Sequence, residues 1–258
     1  MSKRYKVIGI GNAVVDVLSR TDDSFLDHMG IEKGIMQLIG KERAETLYAA
    51  MKEREQAAGG SVANTLAGLG HLGLPCGFIG KVRDDTLGRF YAAEMGADFV
   101  NPPVAADLPT SRSMIFVTPD GERSMNTYLG ISSEVGPDDV DDAVIADSDV
   151  LFLEGYLYDK DHGKEAFEKA ARAARNAGGR AGITLSDPFC VDRHRADFQR
   201  LVHDELDFAI GNEHEWQALY ETEDLDAALD HARGHCDLIV CTRSGEDVIL
   251  INEERVTV

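Results

Sequence analysis

The chain has 258 residues, 43% of them hydrophobic, with a formal net charge of −20, a make-up that suits one large α/β domain or two small ones with a substantial core. The negative charge argues against a nucleic-acid partner, which rewards a basic surface. No apolar run is long enough to span a membrane, and the opening Met1-Ser2-Lys3-Arg4-Tyr5 has no secretory apolar stretch.

Tyr5–Gly11 reads as a strand, and Ala13–Arg20 and Gly34–Ile39 as strands outside the main layer. A helix is expected at Lys41–Glu55, with Ala44, Leu47, Tyr48 and Met51 as its apolar stripe. Gly59-Gly60 then runs into a second helix from Ser61 to about Leu72. Val62, Thr65, Leu66 and Leu69 form its buried face, and Ser61 is its expected N-cap. Pro75–Ile79 is a strand. Arg112–Val117 and Glu122–Tyr128 alternate around Thr118-Pro119-Asp120-Gly121, a hairpin signal. The acid pairs Asp138-Asp139 and Asp141-Asp142 suit solvated helix starts. Strands at Val150–Leu153, Ala181–Leu185, Phe208–Ile210 and Leu238–Cys241 are interleaved with helices at Lys160–Ala177 and Leu225–His235. Such alternation implies βαβ units and a mostly parallel sheet with helices on both faces. The three segments that break it would form a small projecting sheet. No internal repeat or linker marks a boundary, so one domain covers 1–258.

Cys76, Cys190, Cys236 and Cys241 have no C-x-x-C spacing, so neither a disulfide frame nor a zinc site is expected, and a reducing cytoplasm fits. Cys190 and Trp216 read as core. His231 and His235 are four apart on a helix, a possible metal pair without an evident third ligand. Gly9-x-Gly11 has valine at position 14, where the dinucleotide fingerprint needs glycine, and no G-x-x-x-x-G-K-[ST] loop occurs.

Gly59 and Gly60 let the backbone approach a ligand at a helix N-terminus, where free N–H groups point outward. Asn64, one turn in, can both donate and accept hydrogen bonds. Without other support the pair is simply a tight turn before a core helix. Asp16 follows the first strand, and its carboxylate can accept from two neighbouring hydroxyls, as a sugar diol requires; a surface aspartate is the plainer reading. Arg123, on the second hairpin strand, can reach over a transferring phosphoryl group, or it is a solvated arginine. Asn212-Glu213-His214-Glu215 opens a helix and equally suits an N-cap. Thr242-Arg243-Ser244-Gly245 leaves a strand at its C-terminal end, where open α/β sheets bind ligands, or it is a β-turn.

Read with Gly9-Ile10-Gly11-Asn12-Ala13-Val14-Val15-Asp16 and Gly80-Lys81-Val82-Arg83-Asp84-Asp85-Thr86-Leu87-Gly88, the Gly59–Asn64 stretch resembles the ribokinase/PfkB family of sugar and nucleoside kinases along essentially the whole chain. The likeness extends to bacterial adenosine kinases through Met36-Gln37-Leu38, Arg123-Ser124-Met125-Asn126, Glu154-Gly155-Tyr156 and Thr184-Leu185-Ser186-Asp187-Pro188-Phe189. It implies a ribokinase-like, doubly wound α/β fold with a small β lid, its strands at about 13–39 and 111–129. It implies ATP and Mg²⁺ as cofactors and phosphorylation of the 5′-hydroxyl of adenosine or a related nucleoside, with a free sugar such as ribose or fructose as the alternative. Substrate binding would fall to Asn12, Val14, Asp16, Met36, Leu38, Gly59, Gly60, Asn64 and Tyr156. The nucleotide would be held by Asn212, Thr242, Arg243 and Gly245, with Ser244 displacing the family's usual glycine by one. Glu215 would hold Mg²⁺, largely through water, and Arg123 would be catalytic. A second signature, D-T-x-G-A-G-D, carries the family's catalytic base and should follow Val248–Ile251 and Arg255–Val258. The sequence stops at Val258, which suggests an incomplete C-terminus or a non-catalytic nucleoside-binding relative. Asp187, in a loop, shows no partner that would make it a substitute base. A monomer or homodimer is expected.

Overall fold

The computed structural model describes residues 3–258. In chain order, β1 (Tyr5–Ile10), β2 (Val14–Arg20), α1 (Asp23–Met29), β3 (Met36–Leu38), α2 (Lys41–Ala50) and β4 (Glu55–Gly59) lead to α3 (Ser61–His71). Then come β5 (Cys76–Ile79), α4 (Thr86–Glu94), β6 (Asp98–Phe99), β7 (Ser111–Val117), β8 (Arg123–Tyr128) and α5 (Asp142–Ala146). The remainder alternates as β9 (Ser148–Glu154), α6 (Asp161–Asn176), β10 (Arg180–Thr184), α7 (Pro188–Arg193), α8 (Arg195–Arg200), β11 (Phe208–Asn212), α9 (Glu213–Tyr220), α10 (Leu225–Ala232) and β12 (Leu238–Thr242). Two short strands, β13 (Ile249–Ile251) and β14 (Arg255–Thr257), follow.

The acid-rich composition is partly a capping pattern. Asp22, Asp85, Asp141, Asp187, Asn212 and Asp224 each accept a backbone N–H at the start of α1, α4, α5, α7, α9 and α10, satisfying donors that have no partner within the helix. Asp187 is therefore a helix cap rather than a loop residue without a partner.

The main sheet has nine strands in the order β14-β13-β12-β11-β10-β9-β1-β5-β6. From β6 to β12 every pairing is parallel, and β13 and β14 close one edge in antiparallel fashion. The winding reverses at β1, with β5 on one side and β9 on the other. Cys190 and Trp216 are fully buried in the core, with Phe167 and Phe198.

The second sheet has five strands in the order β3-β8-β7-β2-β4. Its pairing register separates two faces, because directly paired residues point the same way. Val15, Val17, Met114 and Phe116 pack against Leu26, Ala44 and Leu47 of α1 and α2. The opposite face carries Val14, Asp16 and Leu18 of β2, Ser113 and Ile115 of β7, Arg123 and Met125 of β8, and Met36 and Leu38 of β3.

Three local expectations change. The helix expected over Lys41–Glu55 stops at Ala50, and Glu55–Gly59 is a strand paired antiparallel to β2; pairing with a β-branched neighbour outweighs the local helical pattern. The helix from Leu225 ends at Ala232 rather than His235. In α3 the buried residues are Val62, Ala63 and Leu66, and Thr65 is exposed, its hydroxyl returning to the Ser61 carbonyl at 3.1 Å.

Candidate functional site

Parallel strands deliver their C-terminal ends to one rim of the main sheet, and the reversal at β1 opens a crevice there, the usual ligand position in such sheets. The loop after β1 enters β2 directly, and β4 enters α3 directly, so the second sheet is rooted on that rim.

Its root is the Gly59–Gly60 corner. Gly60 has φ +106° and is the N-cap of α3, a backbone state open to glycine and strained for other residues. A Cβ on Gly60 would also collide with the Asn12 carbonyl. Ser61 is thus the first helical residue, not the cap. The Gly59 carbonyl accepts the buried Tyr91 hydroxyl at 3.0 Å. The Asp16 carboxylate lies so close that a Cβ on Gly59 would sit 2.6 Å from its Oδ2.

Asp16 is partly buried on β2. Burial pushes its carboxyl up to about 6, opposed only by the positive charge of Arg123. Among the described residues no hydrogen bond stabilises its charge, so its oxygens are free to accept from a ligand's hydroxyls. Val14, Met36, Leu38 and Arg123 share its sheet face. Met36 is 43% exposed and Leu38 57%, so the apolar residues of β3 present a surface beside the carboxylate rather than a core. Asn64 is exposed on the first turn of α3.

Asn12, expected from the sequence to bind substrate, is buried behind the corner. It is 4% exposed and both ends of its amide are bonded: Nδ2 donates to Glu154 Oε2 at 2.8 Å, and Oδ1 accepts the Ser132 hydroxyl at 2.9 Å. Its position behind the corner makes it a support. Glu154, at the end of β9, was named in the sequence only as part of a motif. Gly9 and Gly11 also find their reason here. A side chain on Gly9 would collide with Val62 and Leu66 of α3, and one on Gly11 would press on Glu154 at 3.3 Å. The glycines serve packing, consistent with the failed dinucleotide fingerprint.

Tyr156 follows Glu154 in a short 3₁₀ turn, its hydroxyl donating to the Ser186 carbonyl at 3.1 Å; burial pushes that hydroxyl up. Phe189, at the start of α7 beyond the end of the neighbouring strand β10, is 72% exposed. No sequence signal separated it from a packing residue.

On the far side of the rim, Asn212 and Thr242 are direct register partners at the ends of β11 and β12. Arg243 opens a β-turn closed by Glu246 N–H to the Arg243 carbonyl at 2.9 Å, and it pairs with Glu213 at 3.9 Å and with Glu246. Ser244, not Gly245, takes the left-handed backbone, with φ +52°. The turn therefore forms without glycine at its strained position, and Gly245 has open space around it.

Three comparisons bear on this arrangement. The family model described as pfkB family carbohydrate kinase matches residues 31–258. The chain belongs to this family. Among solved structures, adenosine kinase from Sinorhizobium meliloti is 47% identical with a TM-score of 0.90, the match covering 99% of this chain and 80% of that one. A probable sugar kinase from Rhizobium etli CFN 42 is 42% identical with the same TM-score, covering 99% and 79%. Guanosine-inosine kinase of Escherichia coli K12 is 26% identical over 92% of this chain. The chain spans 57% of that relative's length.

The pfkB-family chain does not present Glu215 as a direct metal ligand. Its Oε2 accepts the Asn212 backbone N–H at 2.8 Å and its Oε1 the Asn212 side chain at 2.9 Å, while the Glu215 N–H returns to Asn212 Oδ1 at 2.9 Å. This is a complete capping box on a residue 5% exposed, and burial pushes its carboxyl up to about 6. Among the described residues no group of three or more His, Cys, Asp or Glu is placed to hold a metal ion. The donor set does not fit inner-sphere Mg²⁺, which favours ionised, accessible oxygens. No helix among these residues is long and apolar enough to cross a membrane.

Proposed function

We propose that this pfkB-family chain takes part in ATP-dependent phosphorylation of the 5′-hydroxyl of adenosine or a closely related purine nucleoside. The observation that carries the reading is the Asp16 carboxylate, without a hydrogen bond among the described residues, beside the Gly59 backbone and on one face with Val14, Met36 and Leu38. A nucleoside needs both halves of that surface: a carboxylate for the ribose diol, and flat apolar walls for the base. Asn64 adds a polar contact at the helix start, and Tyr156 an aromatic wall across the rim. The kinase names of the Sinorhizobium and Escherichia relatives support a nucleoside acceptor.

In this reading the 5′-oxygen forms a bond to the γ-phosphorus of ATP as the bridging bond to the β-phosphate breaks, and the hydroxyl proton leaves to a base. Arg123 lies near enough to Asp16 to act on its charge and would offset negative charge on the phosphoryl group in flight. Asn212, Thr242, Arg243 and Gly245 line the rim where the nucleotide would lie.

A free sugar is the second reading, favoured by the name of the Rhizobium etli neighbour. It would leave Met36 and Leu38 without a contact. The test is ADP formation with each acceptor. The nucleoside reading expects adenosine-dependent ADP, reduced at least about a hundred-fold by Asp16→Asn, whose amide cannot accept from both hydroxyls with a full charge. ADP formation with ribose or fructose but not adenosine would reverse the assignment.

A further inference from the structure

Glu154 is 1% exposed, yet none of its partners is cationic. Its Oε2 accepts the Asn12 N–H at 2.6 Å and Asn12 Nδ2 at 2.8 Å. Its Oε1 accepts the Ser61 N–H at 3.1 Å and the Ser61 hydroxyl at 2.5 Å. One carboxylate therefore joins the exit of β1 to the entry of α3, and each oxygen takes two donors. Ser132 fixes the remaining face of the Asn12 amide, so that Nδ2 must point at Glu154. The result is a closed ring of contacts: Asp16 against Gly59, Gly60 against the Asn12 carbonyl, Ser61 and Asn12 on the two oxygens of Glu154.

Four donors on one buried carboxylate is a costly arrangement for packing alone, since a buried charge must be matched by hydrogen bonds to be tolerated. What it secures is position. Ser61 adjoins Gly60, whose φ of +106° is strained for any residue but glycine, and a shift there moves Gly59 away from Asp16. We infer that Glu154 is a positioning residue for the acceptor site: without touching the ligand, its carboxylate holds the Gly59–Gly60 corner closed against Asp16. The inference rests on the nucleoside reading only for what the corner binds; the closure is a property of the ligand-free chain.

Glu154→Gln tests it sharply. A glutamine has one acceptor oxygen, and Asn12 offers two donors that cannot turn round because Ser132 holds Oδ1. The amide oxygen must therefore face Asn12, which puts an NH₂ group against the Ser61 N–H and leaves that donor unpaired. The measurements are the Asp16 carboxyl titration by ¹³C NMR on ligand-free protein, and adenosine affinity by calorimetry. In Glu154→Gln the corner opens to water, the Asp16 midpoint falls by about one unit toward the ordinary aspartate value, and adenosine binds about ten-fold more weakly. Ser61→Ala removes only the hydroxyl donor and should shift both readouts the same way by less, about three-fold in affinity; it decides the question if Glu154→Gln does not fold. An Asp16 midpoint unchanged in a folded Glu154→Gln, or in Ser61→Ala where that variant decides, overturns the inference. Failure of the unmodified chain to bind any nucleoside would sink the functional reading instead, and the Asp16 titration would still decide the role of Glu154.

Discussion

Asp16 is placed where burial works against its own charge, and among the described residues only the positive charge of Arg123 compensates. Its folded value of about 6 stands above the ordinary 3.8, so the folded chain holds this proton more tightly than the unfolded chain. The group's contribution to stability is accordingly most favourable below the ordinary value and declines as pH rises toward 6. Above that, the buried charge costs about 3 kcal/mol. Asp16→Asn should therefore stabilise the ligand-free protein at pH 7.5 by up to about that amount and by little at pH 4, while removing nucleoside binding. Urea unfolding at the two pH values checks this, and equal stabilisation at both would contradict it. Asp16 was legible as a ligand candidate from the sequence because a carboxylate just after the first strand of an α/β chain stands at the rim. The Asn12–Glu154 pair was not legible for one reason: the two residues are 142 positions apart, and no local pattern reports a buried pair of that kind.

The Gly59–Gly60 corner shows what an element boundary can and cannot reveal. A glycine pair before an amphipathic helix correctly marked a special turn, but the identity of the cap and the strand leading into it depended on partners elsewhere. Glu55–Gly59 is a strand because β2 lies beside it, and Ser61 is held by β9 rather than by its own helix. Two glycine substitutions separate the roles. Gly60→Ala should cost about 2–3 kcal/mol from backbone strain alone, with the collision against Asn12 in addition. Gly68→Ala, at a position in α3 with open space around it, should stabilise by about 0.5–1 kcal/mol. Denaturant midpoints of the two variants should move in opposite directions; movement together would mean the corner is not under the constraint described.

A second element, the corner between α8 and α10, gathers His231 and His235, read from the sequence as a possible metal pair, around His203 and Tyr220. His203 stacks on His235 with ring centroids 3.8 Å apart and shares a hydrogen bond of 2.8 Å with the Tyr220 hydroxyl, while His231 stacks on Tyr220. Burial first, then the neighbouring His235 and His231, hold the His203 value below that of a free imidazole; Asp204 pulls the other way. A depressed histidine binds its proton more readily in the unfolded chain, so this corner is stable at and above the ordinary histidine value and loosens as pH falls below it. Hydrogen exchange of α9 and α10 should accelerate between pH 7 and 5 relative to the rest of the chain, after correction for intrinsic rates, and His203→Gln should flatten that change. A uniform pH response would rule the stack out as its source.

At the scale of the whole molecule, the doubly wound α/β sheet was legible because alternation of strands and helices survives in a single sequence as alternation of periods. The strand order of the second sheet was not, since β3 pairs with β8 and β2 with both β7 and β4 across long stretches of chain. That order gathers Asp16, Arg123, Val14, Met36 and Leu38, drawn from three strands, onto one face above the rim of the main sheet. In the proposed function, this face and the Gly59–Gly60 corner together accept a purine nucleoside. Isothermal titration calorimetry of adenosine and of ribose, at pH 7.5 and again at pH 5, addresses it most directly. Burial of the base against apolar residues should make adenosine bind about a hundred-fold more tightly than ribose, and binding of both should weaken at pH 5 as Asp16 takes up its proton. Ribose binding as tightly as adenosine, or adenosine binding equally well at both pH values, would contradict the account.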